Sequence, residues 1–393
     1  MNRHGKPVAG VEAGGESGTR ARVGAGQGRG RVAGPIFLVM PLVALMSVVN
    51  AAGQDPGCLV GVYYFSGWWK DQPNKYQTGG RAWLEDFPGR RALLGEFNDA
   101  PTMDREIRAA ADAGVDFFQI LYYPVTGRFP PESHADRLNE GLRLFRASPE
   151  KKCLRFTVEY VNHPPFDLPG DPEWEAACRE WASVMKDPSY LRVGDRPVFK
   201  IHGLQHFLNQ NGGDRARAAA RVGTLRRIAR ESGAGDPLVS AGVSPLGIPP
   251  ESDMAPYDFV TTYMEVTSLP AQKDPYPYAQ LLETAETGWK SYGEKCPRPY
   301  VPYVPAGWDP RPWKDPRPSF VFPTPDEWKY ALRRAGAALD RYPNLGVPLP
   351  DGGRQKMLLI YAWNEFAEGG IVAPTAGEGD TKLRGIREVF GAK

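Results

Sequence analysis

Two glutamates, Glu365 and Glu368, lie three residues apart in the stretch YAWNEFAEGGIVAPT (361–375), directly after the apolar run MLLI. Carboxyl groups at that spacing can face one side where a strand gives way to a helix, with Cβ atoms ~5–6 Å apart. Like charges held that close resist joint ionisation, so one group keeps its proton while the other is charged. A protonated and an ionised carboxyl together equip a site for general acid–base work, and glycosidic cleavage commonly uses such a pair. Glutamates beside a loop are ordinarily solvated. Here the apolar lead-in, Trp363-Asn364 before the pair and Gly369-Gly370 after it favour a buried cleft.

What must position such a pair is legible upstream. Eight short runs rich in Val, Ile, Phe and Tyr, each bounded by Gly, Pro or Asp, read as strands: 58–65, 115–123, 153–161, 197–203, 237–243, 257–264, 299–304 and 357–363. Amphipathic patterns separate most of them. DREIRAAADAG places Ile107 and Ala110 on one face and stops at Gly114; EWEAACREWASVMKD repeats Trp174, Cys178, Trp181 and Met185; DRARAAARVGTLRRIARES starts on an acidic cap. Between the fifth and sixth runs, PPESDMAP leaves room for one turn only. Strands alternating with helices build a parallel sheet, and eight repeats predict a single closed (β/α)8 TIM barrel spanning residues 57–393.

In such a barrel the site gathers at the carboxyl ends of the strands. Those ends supply Tyr63, Tyr64, Phe65, Trp68 and Trp69 from the first; Tyr122 and Tyr123 from the second; Glu159, Tyr160, Asn162 and His163 from the third; and Lys200 and His202 from the fourth. The sixth gives Tyr263 and Glu265, the seventh Tyr303, Trp308 and Asp309, and the last Trp363, Asn364, Glu365 and Glu368. Any one of these aromatics could simply fill the core. As a set at one rim they suit a sugar, whose C–H faces stack on flat rings and whose hydroxyls need paired donors and acceptors. The expected substrate-binding set is Tyr63, Tyr64, Trp68, Trp69, Tyr122, Tyr123, Glu159, His163, His202, Tyr263, Glu265, Trp308, Trp363 and Asn364, around Glu365 and Glu368 as the reacting pair. Loops 66–100 and 305–323 would set which sugar and linkage are taken.

The closing motif resembles the C-terminal signature of glycoside hydrolase family 99 and its WbsX-like relatives, Asn-Glu-Trp-x-Glu-Gly. GVYYFSGWW resembles their first strand, DREIRAAADAGVDFFQILYYP their second unit and DRPVFKIHGL their fourth strand. The resemblance runs from about Gly61 to the end, with only the first and last motifs distinctive. It implies a (β/α)8 barrel that cleaves internal α-mannosidic bonds with retention. One Glu draws a proton from the substrate's own 2-hydroxyl, which attacks the anomeric carbon, and the other is the general acid. Carried over by position, Glu365 would be the base and Glu368 the acid. Phe366 stands where the endomannosidases have Trp, Ala367 where they have His and Gly370 where they have Thr, and Ala367 is the WbsX-like choice. These departures leave the acid pair intact and put mannose specificity in question.

Other chemistries fit less well. A glycosyltransferase, the label often attached to WbsX-like proteins, usually needs a metal-binding Asp-x-Asp, which the chain lacks. A non-catalytic carbohydrate-binding barrel is the other alternative, marked by glycan binding without turnover. AGVSPLG around Ser244 is not a Gly-x-Ser-x-Gly elbow, and His202 and His206 lack the adjacent Glu of a zincin helix. No metal and no cofactor are expected. Cys58, Cys153, Cys178 and Cys296 have neither zinc nor redox spacing, and disulfides and single thiols both remain open.

With 41% hydrophobic and 24% charged residues the composition is that of a soluble globular protein. Residues 1–34 carry six basic side chains against two acidic ones, a surplus larger than the whole chain's +2, so the remainder is slightly acidic and offers no nucleic-acid footprint. That Gly-, Ala- and Arg-rich leader reads as disordered. Residues 35–52, an apolar run closing on Asn50-Ala51-Ala52, read as an export signal, too short to span a bilayer comfortably. The expected protein is therefore exported, periplasmic or extracellular, with an oligo- or polysaccharide partner and no stable membrane span once the signal is removed.

Overall fold

The strand β1 (Leu59–Tyr64) sits between two parallel neighbours, β2 (Phe117–Tyr122) and the last barrel strand, and that double pairing joins the start of the fold to its end. The sheet continues from β2 through β3 (Arg155–Tyr160), β4 (Arg196–Ile201), β5 (Leu238–Gly242) and β6 (Phe259–Thr261), every pair parallel. The seventh run arrives in two pieces, β7 (Tyr300–Val301) and β8 (Tyr303–Pro305), on either side of Pro302, which has no N–H to give. β7 pairs with β6, β8 pairs with β9 (Met357–Tyr361), and the Pro302 carbonyl accepts from Leu359 N at 3.0 Å. The result is the expected (β/α)8 barrel, its seventh strand broken in two. The computed structural model describes residues 57–391 except 126–128, 130–132, 267–268, 271 and 273, so the basic leader and the export segment lie outside the described residues.

Helices α1 (Ala100–Asp112), α2 (Glu140–Ala147), α3 (Asp171–Val184), α4 (Leu204–Gln210) and α5 (Arg215–Glu231) surround the first half. The short α6 (Glu251–Met254), then α7 (Tyr278–Lys295), α8 (Pro325–Arg341) and α9 (Thr381–Phe390) complete the layer. Asp214 caps α5 as its sequence implies, accepting from Ala216 N and Arg217 N, and α6 is the single turn that PPESDMAP allows. Helices α1, α3 and α5 carry the three amphipathic patterns read from the sequence. No helix among the described residues is long and apolar enough to cross a membrane.

Strand alternation divides the side chains into two shells. Tyr160 and Phe199 pack on Trp181 of α3, and Phe118 and Phe156 pack on Phe145 of α2, between sheet and helices. Tyr63, Gln119, Glu159 and Lys200 point instead into the barrel, where they bond one another. Cys178 and Cys296 are buried thiols and Cys153 an exposed one.

Candidate active site

The turn that carries the two glutamates is a small hairpin rather than the start of a helix. Asn364–Glu365 pairs antiparallel with Gly370–Ile371, and the Glu365 carbonyl accepts from Glu368 N at 3.0 Å and Gly369 N at 2.8 Å. Gly369 has φ +83°, and a Cβ there would lie 2.7 Å from Asp309 N, so only glycine closes the turn this tightly. Three clasps fix it. Asn364 bonds both backbone groups of Phe65, Oδ1 accepting from its N–H and Nδ2 donating to its carbonyl, each at 2.8 Å, which ties the end of β1 to the end of β9. Asp309 N donates to the Glu368 carbonyl at 2.6 Å. Buried Arg90 donates from Nη1 to the carbonyls of Asp309, Phe366 and Ala367, and its Nη2 is paired with the Asp309 carboxylate.

Both carboxyl groups line a cavity of about 470 Å³ at the carboxyl end of the barrel. Glu365 is only 4% exposed; its Oε1 accepts from Tyr263 OH at 2.6 Å, while Oε2 is buried with no partner among the described residues. Glu368 is partly exposed and its Oε2 accepts from Tyr361 OH. Burial, and then the charge on Glu368, hold Glu365 well above the usual carboxylate range, with Tyr263 and Lys75 working against that rise. Burial also raises Glu368, where Tyr361 and then Arg317 oppose it. Both groups are raised, so the pair resists joint ionisation and holds a proton between its two carboxyls.

Beneath this floor lies a second carboxylate of opposite character. Glu159 is fully buried, with Lys200 Nζ at 2.9 Å, His202 Nδ1 at 2.7 Å and Gln119 Nε2 at 3.1 Å. Burial pushes it up, but Lys200 and His202 outweigh burial and leave it below the ordinary range. Burial in turn lowers His202, so its imidazole is neutral: Nδ1–H donates to Glu159 and Nε2 is left as an acceptor. Lys200 also donates to Tyr63 OH at 2.8 Å, and Tyr63 to the Thr262 carbonyl at 2.9 Å.

The structure sorts the expected binding residues into five groups. Tyr123, His163, His202, Tyr263 and Trp308 line the cavity with the two glutamates. Tyr63 and Glu159 lie beneath it, and Asn364, Trp68 and Trp69 hold its frame, Trp68 Nε1 bonding the Asn364 carbonyl and Trp69 Nε1 the Pro73 carbonyl. Glu265 lines a neighbouring cavity of about 590 Å³ that shares His202, Tyr263 and Met264 with the first. Tyr64, Tyr122 and Trp363 are corrected outright. Tyr64 and Trp363 both reach out to Glu106 of α1, at 2.8 and 3.0 Å, and the Tyr122 ring packs on Trp181 of α3. In Tyr63-Tyr64 and Tyr122-Tyr123 one ring of each pair must face the helices, because neighbours on a strand point to opposite sides.

Lys75, Phe166, Trp313 and Arg317 line the cavity without having been singled out. Lys75, Trp313 and Arg317 come from the two loops expected to set specificity, and no periodic pattern marks residues in such loops. Among the described residues no cluster of His, Cys, Asp and Glu suits a metal ion.

Neither a protein-family model nor a curated protein sequence matches this chain. Solved structures do. A glycoside hydrolase-like protein superimposes with a TM-score of 0.57 at 16% identity, covering 85% of this chain and 94% of its own. The family 99 endo-α-mannosidase of Bacteroides thetaiotaomicron does so with a TM-score of 0.52 at 14% identity, covering 86% and 99%. The same enzyme in complex with bis-tris-propane gives 0.51 at 15%, covering 85% and 99%. At these identities the likeness is one of fold, and that fold is the barrel described above.

Proposed function

We propose that this chain is an exported glycoside hydrolase that cleaves α-linked glycans with retention of configuration, using Glu365 and Glu368 as its acid–base pair. The observation that carries the reading is that Glu365, whose buried Oε2 has no partner among the described residues, lines one cavity with Glu368, on a barrel similar in fold to glycoside hydrolases. A sugar hydroxyl that donates to Glu365 stabilises its carboxylate, lowers its proton affinity and leaves the pair's proton on Glu368. Binding thereby sets the roles that the resemblance implies.

Glu365 then takes the proton of the sugar 2-hydroxyl as O2 bonds to C1. The C1–oxygen bond to the leaving group breaks, and Glu368 gives its proton to that oxygen. Water, deprotonated by Glu368, opens the strained ring at C1, and Glu365 returns its proton to O2. Two inversions at C1 give net retention. Tyr263 and Tyr361 each hold one carboxylate in place throughout.

The test is a screen of purified protein against α-mannans and other α-linked polysaccharides, with the anomeric form of the first product read by NMR. Released α-anomer supports the proposal. Glycan binding without product from any substrate would favour the non-catalytic barrel, and inverted product would rule out the 2-hydroxyl route. Export is tested separately by N-terminal sequencing from the native host, where loss of about the first fifty residues is expected.

A further inference from the structure

The cavity lining carries two cationic side chains, Lys75 and Arg317. Lys75 is placed firmly: its carbonyl accepts from Trp83 Nε1 at 2.8 Å, and the next residue's carbonyl, that of Tyr76, accepts from Trp83 N at 3.1 Å. Its ammonium lies 5.5 Å from the centre of the Trp313 ring and acts electrostatically on both Glu365 and Glu368. Yet the Lys75 ammonium has no hydrogen bond or ion pair among the described residues, whereas Lys200 has Glu159 and Arg317 has Asp315. Arg317, on the same cavity, lies 4.4 Å over the Trp308 ring; Asp315 takes its Nε and Nη2, and Nη1 is left without a partner among the described residues.

The rest of the wall is as informative. Among the described residues no Asn, Gln, Ser or Thr lines this cavity; its neutral polar groups are tyrosine hydroxyls, indole N–H groups and imidazoles. The acceptors of the lining are the two glutamates and His202, whose Nε2 has no partner among the described residues. Donors with positive charge, each backed by an indole face, are concentrated at Lys75 and Arg317. A ligand that complements this wall stacks a ring on indole and presents a negatively charged acceptor.

We infer that Lys75, with Arg317, forms a subsite for an anionic substituent on the glycan, a uronate carboxylate or a sulfate ester. The inference rests on the glycan reading above and narrows it to acidic glycans. Lys75 and Arg317 are specificity-determining groups here, and the two indoles supply the platform.

The experiment compares matched pairs on the full chain: uronate-containing oligosaccharides against their carboxyl-reduced forms, and sulfated oligosaccharides against their desulfated forms. It reads Kd, or kcat/KM where turnover occurs. The charged member of at least one pair should be favoured by about tenfold, as a charge-assisted hydrogen bond gives. Which pair shows the preference names the substituent. In Lys75→Gln the ratio of charged to neutral should shrink to within about threefold, Lys75→Arg should restore it, and added salt should erode it in the unaltered protein. Equal handling of both members of every pair, or a preference unchanged in Lys75→Gln and in high salt, would overturn the inference and leave the neutral-glycan reading standing. Failure of every glycan, charged or neutral, to bind would instead overturn the glycan reading and this inference with it.

Discussion

Glu159 and Glu365 are both buried glutamates at the same end of one barrel, and they sit on opposite sides of their ordinary acidity. Glu159 has an ammonium, an imidazole N–H and an amide within hydrogen-bonding distance. Glu365 has one tyrosine hydroxyl, one oxygen without a partner among the described residues, and another carboxylate as neighbour. Burial acts on both in the same direction, so the difference comes from partners. The paired carboxylate is a fixed charge that organises the floor. The under-partnered one is a proton reservoir whose state a ligand can change. Their contributions to stability run with opposite slopes. Glu159, lowered in the fold, stabilises above the ordinary glutamate pKa, and that stability is lost as pH falls through its folded value. Glu365, raised, favours the fold most at low pH, and that contribution is lost as pH rises.

The most severe way to break the contrast is to make Glu159 resemble Glu365. Lys200→Met leaves Glu159 buried beside one imidazole, and removing one member of a buried pair costs about 3–5 kcal/mol. Denaturant unfolding should show that loss at pH 7, shrinking toward acid pH as Glu159 takes a proton. A loss that does not depend on pH would mean that the pairing charge is not what holds the floor.

Glu106 gives a third buried carboxyl for calibration. It accepts from Tyr64 and Trp363, has no ion pair among the described residues, and is raised by burial to about 7 from 4.5. Its contribution is complete below pH 4.5 and is lost as pH rises through about 7, up to about 3 kcal/mol. Glu106→Gln keeps an acceptor for Trp363 and a donor for Tyr64 without the charge. The variant and the unaltered protein should be alike in stability at pH 5, with the variant the more stable at pH 8. Equal stability at both values would contradict the burial argument.

A smaller change sharpens the Glu365 side. Tyr263→Phe removes the hydroxyl that supports its ionised form, so Glu365 should rise further. The acid limb of the pH–rate profile should move to higher pH, with kcat lower by about tenfold and KM less affected. An unmoved limb would show that the limb does not report Glu365.

The sequence carried the barrel because apolar alternation and helical spacing survive without tertiary information. It carried the Glu365 and Glu368 positions because they follow a strand directly. It did not carry the hairpin, since Asn364–Glu365 finds its partner in Gly370–Ile371 only once Gly369 turns the chain. Nor did it tell Tyr63 from Tyr64, because adjacent rings are alike in composition and opposite in direction. Arg90 was least legible of all. It clamps a turn more than two hundred residues away, and nothing in its local sequence records that partner.

The claim at the centre is that the under-partnered pair does the chemistry, and it is tested most directly by kinetics of Glu365→Gln and Glu368→Gln on the glycan the screen identifies and on activated aryl glycosides. Glu368→Gln should lose at least ~10²-fold on the glycan and far less on the aryl glycosides, which need little protonation of the leaving group. Glu365→Gln should lose that much on both, because the attacking 2-hydroxyl is no longer deprotonated. If both variants stay folded and keep near-normal rates on both kinds of substrate, the pair is structural and the assignment fails.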